Sequence, residues 1–501
     1  MRNRIVRNVL FLLLISLGFG YSQVLGQQPH TADQEEIHQT DTQPEGDHGE
    51  AHASTAEHQP NPISVIPFII LLVMIATGPV FFPHFWHKYY KYIAPGLGLI
   101  TLIYYLVGLP GAHEPTHALS EYISFIALLA PLYIASGGIL IQIDREGTPF
   151  ANLVLLLIGA VFSNFIGTTG ASMLLIRPYI RLNRDHLQPY HIIFFIFMVS
   201  NVGGSLTPIG DPPLFLGFLK GVPFTWTLIH VFPEWLFALG LLSIVFFFFD
   251  RRNKKDLDRV ESLYSGRLIL RGTRNFVWLG IIVGAVFLDP NVVEWVPAIT
   301  YHGSKYSFLR EVIQLSAGLA SYFLADKSAL RGNEFTFDPI NEVIFLFAGI
   351  FFAMMPALQL IGEFAASETG KSFFSVNSMY WITGSLSGVL DNAPTYLNFL
   401  SAALAKFDLS VSNPADVAAF AAGSVDMVTK DYLRAISVAA VFFGALTYIG
   451  NGPNFMVKSI AEERGVEMPS FFGYIIRYSL IILLPILFLT WFVFFYLLHG
   501  I

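Results

Sequence analysis

Two short polar segments interrupt apolar stretches of the chain and carry residue types that could bind an ion. TPIGDPP begins at Thr207 and TYIGNGP at Thr447, so both follow the pattern Thr-x-Ile-Gly-[Asp/Asn]-x-Pro. Proline removes a backbone donor and a helical hydrogen bond, and glycine permits a sharp turn. The matched segments therefore predict helix breaks whose free carbonyls and half-helix ends could hold an ion.

The medium around these breaks follows from composition. The chain has 501 residues, of which 54% are hydrophobic and 13% charged, about half the charged share of a typical soluble domain. We therefore expect a membrane protein, in which non-helical backbone is tolerated only where protein or a watered cavity surrounds it. A simple proline kink is the alternative interpretation, but it explains one proline better than two matched turns. The net charge of −7 argues against a nucleic-acid partner, and the absence of cysteine excludes disulfides and thiolate sites.

The first 62 residues are predicted to stand apart from the membrane part. Residues 1–26 combine three arginines with a short apolar run and small residues, which is typical of a signal peptide. An uncleaved anchor helix is the alternative. Residues 27–62 are rich in Gln, Glu and His and predict a disordered external tail. Its histidines could bind a divalent metal or belong to a solvated spacer.

Beyond this tail the sequence predicts an all-α polytopic membrane protein built from two repeats, 63–250 and 275–501, joined by a basic cytoplasmic linker, 251–274. Each repeat has five apolar spans and one apolar segment split by polar residues, which we interpret as a re-entrant hairpin. The spans are 63–83, 93–109, 122–142, 191–219 and 225–249, then 276–288, 307–324, 343–361, 435–461 and 475–498; the hairpins are 151–176 around SNFIGTTGAS and 380–404 around LDNAPT.

The repeats are predicted to be inverted in the membrane because each contributes an odd number of crossings. In both, an acidic residue that begins the third span (Glu121, Glu342) precedes the hairpin and then the Thr-x-Ile-Gly turn. With the tail outside, 19 Lys and Arg fall on the inner side and 7 on the outer side. This distribution agrees with the positive-inside rule. The two hairpins then enter from opposite faces, and we expect their tips to meet near the midplane.

The motifs SNFIGTTGAS, TPIGDPP, DNAPT and TYIGNGP, in two inverted halves, resemble the ion transporter superfamily, particularly its sodium/proton antiporters and the related citrate-type and arsenite carriers. The resemblance runs from about residue 63 to the C-terminus. It implies that the hairpin tips and the helix breaks form the sodium and substrate sites. The residues it nominates are Ser163, Asn164, Gly167, Thr168, Thr169, Asp391, Asn392 and Thr395 in the hairpins and Thr207, Gly210, Asp211, Thr447, Gly450 and Asn451 in the breaks.

Asn201 lies ahead of the first break and could face the cavity or bond across helices. The residues expected to bind sodium are Asn164, Asp211, Asp391 and Asn392. Dicarboxylate carriers typically have a Ser-Asn-Thr tip in both hairpins, whereas this chain has Ser-Asn-Phe at 163–165 and Asp-Asn-Ala at 391–393. This departure weighs against a carboxylate substrate.

Asp211 and Asp391 are the candidate titrating pair. A fixed carboxylate repels an anionic substrate but suits a monovalent cation, and sodium and a proton can compete for it. We therefore expect a secondary transporter that exchanges sodium for protons, with a cation-coupled citrate or other carboxylate carrier as the alternative. Each aspartate could instead cap the helix that follows it.

An enzyme is not expected, because the sequence has neither a phosphate-binding glycine loop nor a metal-ligand pair on a helix. No cofactor is expected beyond the transported or coupling sodium ion and proton. We expect a multi-pass protein of a bacterial-type inner membrane. The sequence leaves the oligomeric state open, with a homodimer as one option.

Overall fold

The computed structural model describes residues 60–109, 114–143, 147–254, 268–288, 295–297, 299–301 and 304–497. The predicted signal peptide, nearly all of the tail and residues 255–267 of the linker lie outside these ranges. All described helices belong to the unit Gln59–Ile501. The described part of this unit is almost entirely helical, as the sequence predicts.

The described residues of the first half form eight α-helices up to the linker. They are α1 (Ile66–Phe81), α2 (Pro83–Gly108), α3 (Glu114–Gly137), α4 (Pro149–Leu182), α5 (Pro189–Met198), α6 (Pro212–Lys220), α7 (Trp226–His230) and α8 (Phe232–Lys254). A 3-10 turn, Pro62–Val65, precedes α1, and another, Val202–Leu206, lies between α5 and α6.

The second half continues with thirteen further α-helices in the described residues. They are α9 (Asn275–Ala285), α10 (Leu309–Phe323), α11 (Lys327–Gly332), α12 (Asp338–Ala353), α13 (Met355–Ala366), α14 (Glu368–Phe373), α15 (Val376–Ser387), α16 (Asn392–Lys406), α17 (Pro414–Ala422), α18 (Thr429–Phe443), α19 (Gly452–Glu463), α20 (Phe471–Tyr474) and α21 (Leu484–Trp491). A 3-10 turn, Gly444–Leu446, separates α18 from α19, and the π-helical segments Ile475–Leu483 and Phe492–Leu497 flank α21.

Two short antiparallel strand pairs complete the described structure. β1 (Leu140–Ile143) pairs with β2 (Leu268–Arg271), and β3 (Ile299–Tyr301) pairs with β4 (Ser304–Tyr306). The predicted span 122–142 is wrong at both ends, and its last residues belong to β1. The helix starts earlier, at Glu114, and ends at Gly137, where Asn275 and Asn333 donate to backbone carbonyls of Ala135 and Gly137. These side chains satisfy carbonyls at the helix end.

Seven described helical segments are long and apolar enough to cross a bilayer, and eight if α12 and α13, bent by 46°, count as one span. The ten spans predicted from the sequence exceed this number. The helices at two of the predicted spans, α9 and α10, have 11 and 15 residues, fewer than the ~20 that a straight crossing requires. The inversion of the repeats likewise stays a prediction.

Both predicted hairpins fold back on themselves. In α4, Asn152 and Asn183 exchange two side-chain hydrogen bonds of 2.8 Å, although 31 residues of straight helix would separate them by about 46 Å. The reversal occurs at Gly167, whose φ of 77° and ψ of 154° are not helical. We call α4 hairpin 1. Hairpin 2 is formed by α15 and α16, and Lys406 at its end donates to the carbonyl of Phe374 before its start across 2.6 Å.

The expectation that Glu121 and Glu342 begin their spans is wrong. Glu121 is the eighth residue of α3, and Glu342 is the fifth residue of α12. Glu121 is therefore too far from the helix start to stabilise its dipole, because that effect falls off within the first turn. It instead forms an ion pair with Lys220.

Candidate functional site

The two helix breaks have the same backbone conformation. Break 1 (202–211) and break 2 (444–451) each start with a 3-10 turn, continue through an extended threonine and end in an extended Asp or Asn. The φ and ψ angles are −137° and 156° at Thr207 and −139° and 168° at Thr447. We call the helices that follow, α6 and α19, half-helix 1 and half-helix 2.

The Thr-x-Ile-Gly pattern has a direct structural role in both breaks. The hydroxyl oxygen of Thr207 accepts from the amide of Gly210 across 3.2 Å, and that of Thr447 accepts from Gly450 across 3.1 Å. A Cβ at Gly210 would overlap the carbonyl of Gly204, and one at Gly450 would lie 2.6 Å from that of Gly444. Each threonine thus closes its turn, and each glycine permits two backbone segments to touch.

Hairpin 1 docks onto break 1 through Asn164. Its side-chain oxygen accepts from the amide of Leu206 across 2.9 Å, and its amide donates to the carbonyl of Gly203 across 2.6 Å. The carbonyl of Asn164 accepts from the hydroxyl of Thr207 across 2.6 Å. Both polar atoms of the Asn164 side chain, Nδ2 and Oδ1, are used in these bonds. Asn164 therefore stabilises the conformation of break 1.

Serines anchor the two hairpins in the same manner. Ser163 donates to the carbonyl of Val199 across 2.7 Å, and Ser387 donates to the carbonyl of Ala440 across 2.5 Å. Both carbonyls lie just ahead of a break. Ser387 was not among the residues nominated from the sequence, because it lies four residues before the Asp-Asn pair at the tip of hairpin 2, whereas Ser163 is adjacent to Asn164.

Asp211 lies where both hairpins and both breaks meet. Its Oδ1 accepts from the hydroxyl of Thr168 across 2.7 Å and from Nδ2 of Asn451 across 2.9 Å. Its Oδ2 accepts from Nδ2 of Asn392 across 2.6 Å. Asp211 is only 1% exposed, and these three donors from the described structure are neutral. The carboxylate therefore keeps its negative charge uncompensated unless it takes up a cation or a proton.

A chain of asparagine side chains extends from Asp211 into the second half. Nδ2 of Asn451 also donates to Oδ1 of Asn201 across 3.2 Å, and Asn201 donates to Oδ1 of Asn454 across 2.7 Å. Asn454 in turn donates to the carbonyls of Gly444 and Thr447 across 2.8 and 2.9 Å. Asn201 thus bonds across helices, which is one of the two roles open from the sequence.

Sequence reasoning missed Asn454, although its spacing held a signal. It follows Asn451 by three residues in the first turn of half-helix 2, and residues three apart share a helix face. Its two donated bonds satisfy backbone carbonyls of break 2.

The two candidate carboxylates differ in their surroundings. Asp211 precedes half-helix 1 but makes no side-chain capping bond, because its oxygens accept from Thr168, Asn392 and Asn451. Asp391 does cap α16, since its Oδ1 accepts from the amide of Ala393 across 3.0 Å. Thr395 donates to the carbonyl of Asp391 across 2.9 Å within the same turn. The structure thus gathers Thr168, Asn392 and Asn451 around Asp211, while Asp391 and Thr395 stabilise the start of their own helix.

A small cavity of about 30 Å³ lies beside the tip of hairpin 1. Thr168, Thr169 and Gly210 contribute to its wall, which is otherwise largely apolar and includes residues of α3 and α12. This volume suits one or two water molecules or a small ion. Within the described residues, no cluster of three or more His, Asp or Glu could hold a metal. An ion at Asp211 would therefore be bound by one carboxylate and neutral oxygens.

Comparison with known proteins identifies a matching family and several bacterial relatives. A family model described as "Putative citrate transport" matches residues 57–495. An uncharacterized transporter of Mycobacterium tuberculosis is 25% identical over 338 residues, which cover 64% of this chain and 72% of the relative. A 46 kDa membrane protein of Mycobacterium leprae is 26% identical over 335 residues with the same coverage. The family model thus covers the part of the chain that contains both hairpins and both breaks.

Proposed function

The chain belongs to the citrate transport family of membrane transporters, and on that premise we propose that it exchanges sodium ions for protons across a bacterial inner membrane. The observation that carries the proposal is the burial of Asp211, in break 1, among neutral donors from both hairpins and break 2. Movement of one ion down its gradient would drive the other. This needs no nucleotide-binding loop, and the sequence has none.

The charge of Asp211 favours a cationic cargo. Removing an ionised carboxylate from water costs several kcal/mol unless a counter-charge or strong hydrogen bonds compensate. Thr168, Asn392 and Asn451 stabilise the carboxylate but do not neutralise it. Either a sodium ion or a proton neutralises it, and the two exclude each other at one carboxylate. Competition of this kind converts a single buried acid into an exchange site.

The surrounding side chains can serve both forms of Asp211. Oδ1 of Asn392 is buried and accepts no hydrogen bond within the described residues. A half-turn of this amide would direct Oδ1 toward Asp211, next to the hydroxyl oxygen of Thr168. Carboxylate, amide and hydroxyl oxygens are the ligands that hard cations prefer. With a proton bound, Asp211 would donate to one of the same oxygens.

A cation-coupled carboxylate carrier is the second candidate, and the cavity at hairpin 1 favours it. The second arm of hairpin 1 begins after Gly167; the amide of Thr168 donates to the carbonyl of Gly210, and the next two residues, Thr169 and Gly170, line this cavity. Amides at a helix N-terminus attract an anion. The family description points in the same direction. In this scheme Asp211 would hold the coupling cation and the cavity would adjoin the carboxylate of the cargo.

One experiment separates the two candidates. Everted vesicles containing the protein are acidified by respiration, and the internal pH is followed on addition of sodium; uptake of labelled citrate is measured in right-side-out vesicles with and without sodium. The proposal expects sodium to raise the internal pH and citrate uptake to equal that of vesicles without the protein. Sodium-dependent citrate uptake without a sodium-induced pH change would reject exchange and support the carrier.

A further inference from the structure

Each half-helix that begins at the site has a basic residue with an acidic partner at its end or directly after it. Half-helix 1 starts after Asp211 and ends at Lys220, whose Nζ lies 2.6 Å from Oε1 of Glu121. Half-helix 2 starts after Asn451, and Arg464 directly follows its last residue. Nη2 of Arg464 lies 2.6 Å from Oε1 of Glu334. The two basic residues also lie where a helix dipole favours a positive charge.

Both acidic partners lie outside the hairpins, breaks and half-helices. Glu121 is on α3, which packs against α10 and α12 as well as against hairpin 1 and half-helix 1. Glu334 lies in the turn before α12, with a left-handed φ of 49° that is uncommon for a residue other than glycine. The ion pairs therefore connect the segments that form the site to the helices around it.

The two pairs differ in burial. The side chains of Lys220 and Glu121 are 9% and 15% exposed, whereas those of Arg464 and Glu334 are 40% and 53% exposed. Solvent and salt screen an exposed pair strongly but a buried one weakly. Loss of one partner from the buried pair also leaves a charge without compensation. The Lys220–Glu121 pair is thus the stronger of the two connections.

A short rigid helix transmits movement from one end to the other. Half-helix 1 has nine residues, or about 14 Å of length, so Lys220 and Asp211 move together. Asp211 is shielded from solvent in this structure, and release of a cargo requires the segments around it to separate. Half-helix 1 cannot move away from α3 while Lys220 remains bound to Glu121.

We infer that the Lys220–Glu121 ion pair holds half-helix 1 in the closed arrangement and breaks in each transport cycle. Lys220 and Glu121 are thereby positioning residues, which act on the cargo only through Asp211. The inference rests on the proposed function insofar as Asp211 binds the cargo. It does not depend on which cargo is carried.

The absence of cysteine from the chain permits a direct test. The double variant Lys220→Cys/Glu121→Cys is reconstituted in vesicles and treated with a short, cleavable bifunctional thiosulfonate reagent. Transport is measured before treatment, after treatment and after cleavage of the link with dithiothreitol. We expect the link to stop transport and its cleavage to restore it. Sodium should still raise the thermal unfolding temperature of the linked protein, because the site itself is intact.

The matched control joins two positions within one helix. Lys458 and Glu462 form an ion pair inside half-helix 2, and the corresponding linked double cysteine variant should transport normally. Undiminished transport by the linked 220/121 variant would overturn the inference. If wild-type protein takes up citrate and does not exchange sodium, the proposed exchange fails, and citrate uptake becomes the readout for the same two linked variants.

A charge reversal tests the pair without any reagent. Lys220→Glu alone places two buried carboxylates side by side, and we expect it to lose transport. Lys220→Glu/Glu121→Lys restores the attraction but puts a negative charge at the C-terminus of half-helix 1, which its dipole disfavours. Partial recovery of the maximal rate, with an unchanged half-saturating sodium concentration, is the expected result. No recovery, despite normal insertion and sodium-dependent thermal stabilisation of the double variant, would contradict the inference.

Discussion

Asn392, at the tip of hairpin 2, donates from Nδ2 to Oδ2 of Asp211 in break 1 across 2.6 Å, although the two residues are 181 positions apart in the chain. This bond joins the two halves of the protein at a buried carboxylate. On the opposite oxygen, Thr168 of hairpin 1 and Asn451 of break 2 complete the set of donors. Asp211 lies in break 1 and accepts hydrogen bonds from the other three segments, hairpin 1, hairpin 2 and break 2.

Gly210 and Gly450 provide a prediction with a close internal control. A methyl group at Gly210 would overlap the backbone of Gly204, and one at Gly450 would press on Gly444 and Ser387. We expect Gly210→Ala and Gly450→Ala to destabilise the closed breaks by about 1–3 kcal/mol, the usual range for overpacking, and to reduce exchange strongly. Exchange rates and thermal unfolding temperatures are the measurements.

Gly452 supplies the control, because a Cβ there has open space within 4 Å. Gly452→Ala should therefore exchange ions at the wild-type rate. Equal rates for the alanine variants of Gly210, Gly450 and Gly452 would show that the close backbone contacts in the breaks are unimportant for transport.

Thr168 tests the oxygen set around Asp211. Thr168→Val preserves the shape of the side chain but removes the hydroxyl that donates to Asp211. The loss of a hydrogen bond to a charged group costs about 1.5–3 kcal/mol, and the variant also lacks an oxygen that could bind sodium. We expect a higher half-saturating sodium concentration for exchange. Thr168→Ser retains the hydroxyl and should stay close to wild type; the same sodium dependence for Val and Ser would remove Thr168 from the site.

Asp391 allows its two roles to be separated. It caps α16 through Ala393, and Asn caps a helix about as well as Asp. On the basis of this contact we expect Asp391→Asn to exchange ions at close to the wild-type rate, and Asp391→Ala to lower the thermal unfolding temperature. Complete loss of exchange in Asp391→Asn at every pH would instead support the titrating pair of Asp211 and Asp391 that the sequence suggests.

The predicted inversion of the halves can be tested with single cysteines in this cysteine-free chain. Arg271, in the linker, is exposed and predicted to be cytoplasmic; Asp408, after hairpin 2, is 76% exposed and predicted to be external. In intact cells an impermeant thiol reagent should label Asp408→Cys and leave Arg271→Cys unlabelled. Permeabilised cells should show labelling of both. Labelling of Arg271→Cys from outside would reject the predicted orientation.

The sequence indicates the breaks and hairpins because their signals are local. Proline, glycine and polar residues within apolar segments mark Thr207 to Asp211 and Thr447 to Asn451 without knowledge of the fold. The bond between Asn392 and Asp211 depends on how distant segments pack, and no local pattern encodes it. Lys220 and Glu121 illustrate the same limit, since each alone is consistent with a helix end at a membrane surface.

Local patterns also fail where a side chain from elsewhere ends an element. The apolar run through residue 142 predicts continuous helix, but amides of Asn275 and Asn333 satisfy the carbonyls at the end of α3, near Gly137. The chain then continues as β1. Asn454 was missed for a related reason, because an asparagine inside an apolar helix has many roles and only its contacts with Asn201 and Gly444 identify this one.

The most direct measurement of the central claim is sodium-induced pH change in everted vesicles containing Asp211→Asn, across a range of pH. The substitution preserves size but removes the charge that sodium and a proton would share. Asp408→Asn is the control, because Asp408 is exposed, and its left-handed φ of 57° is one that Asn also adopts readily. We expect Asp408→Asn to match wild type and Asp211→Asn, inserted at a comparable level, to show no sodium-dependent proton movement at any pH. Exchange by Asp211→Asn at close to the wild-type rate would contradict the claim that this carboxylate binds the exchanged ions.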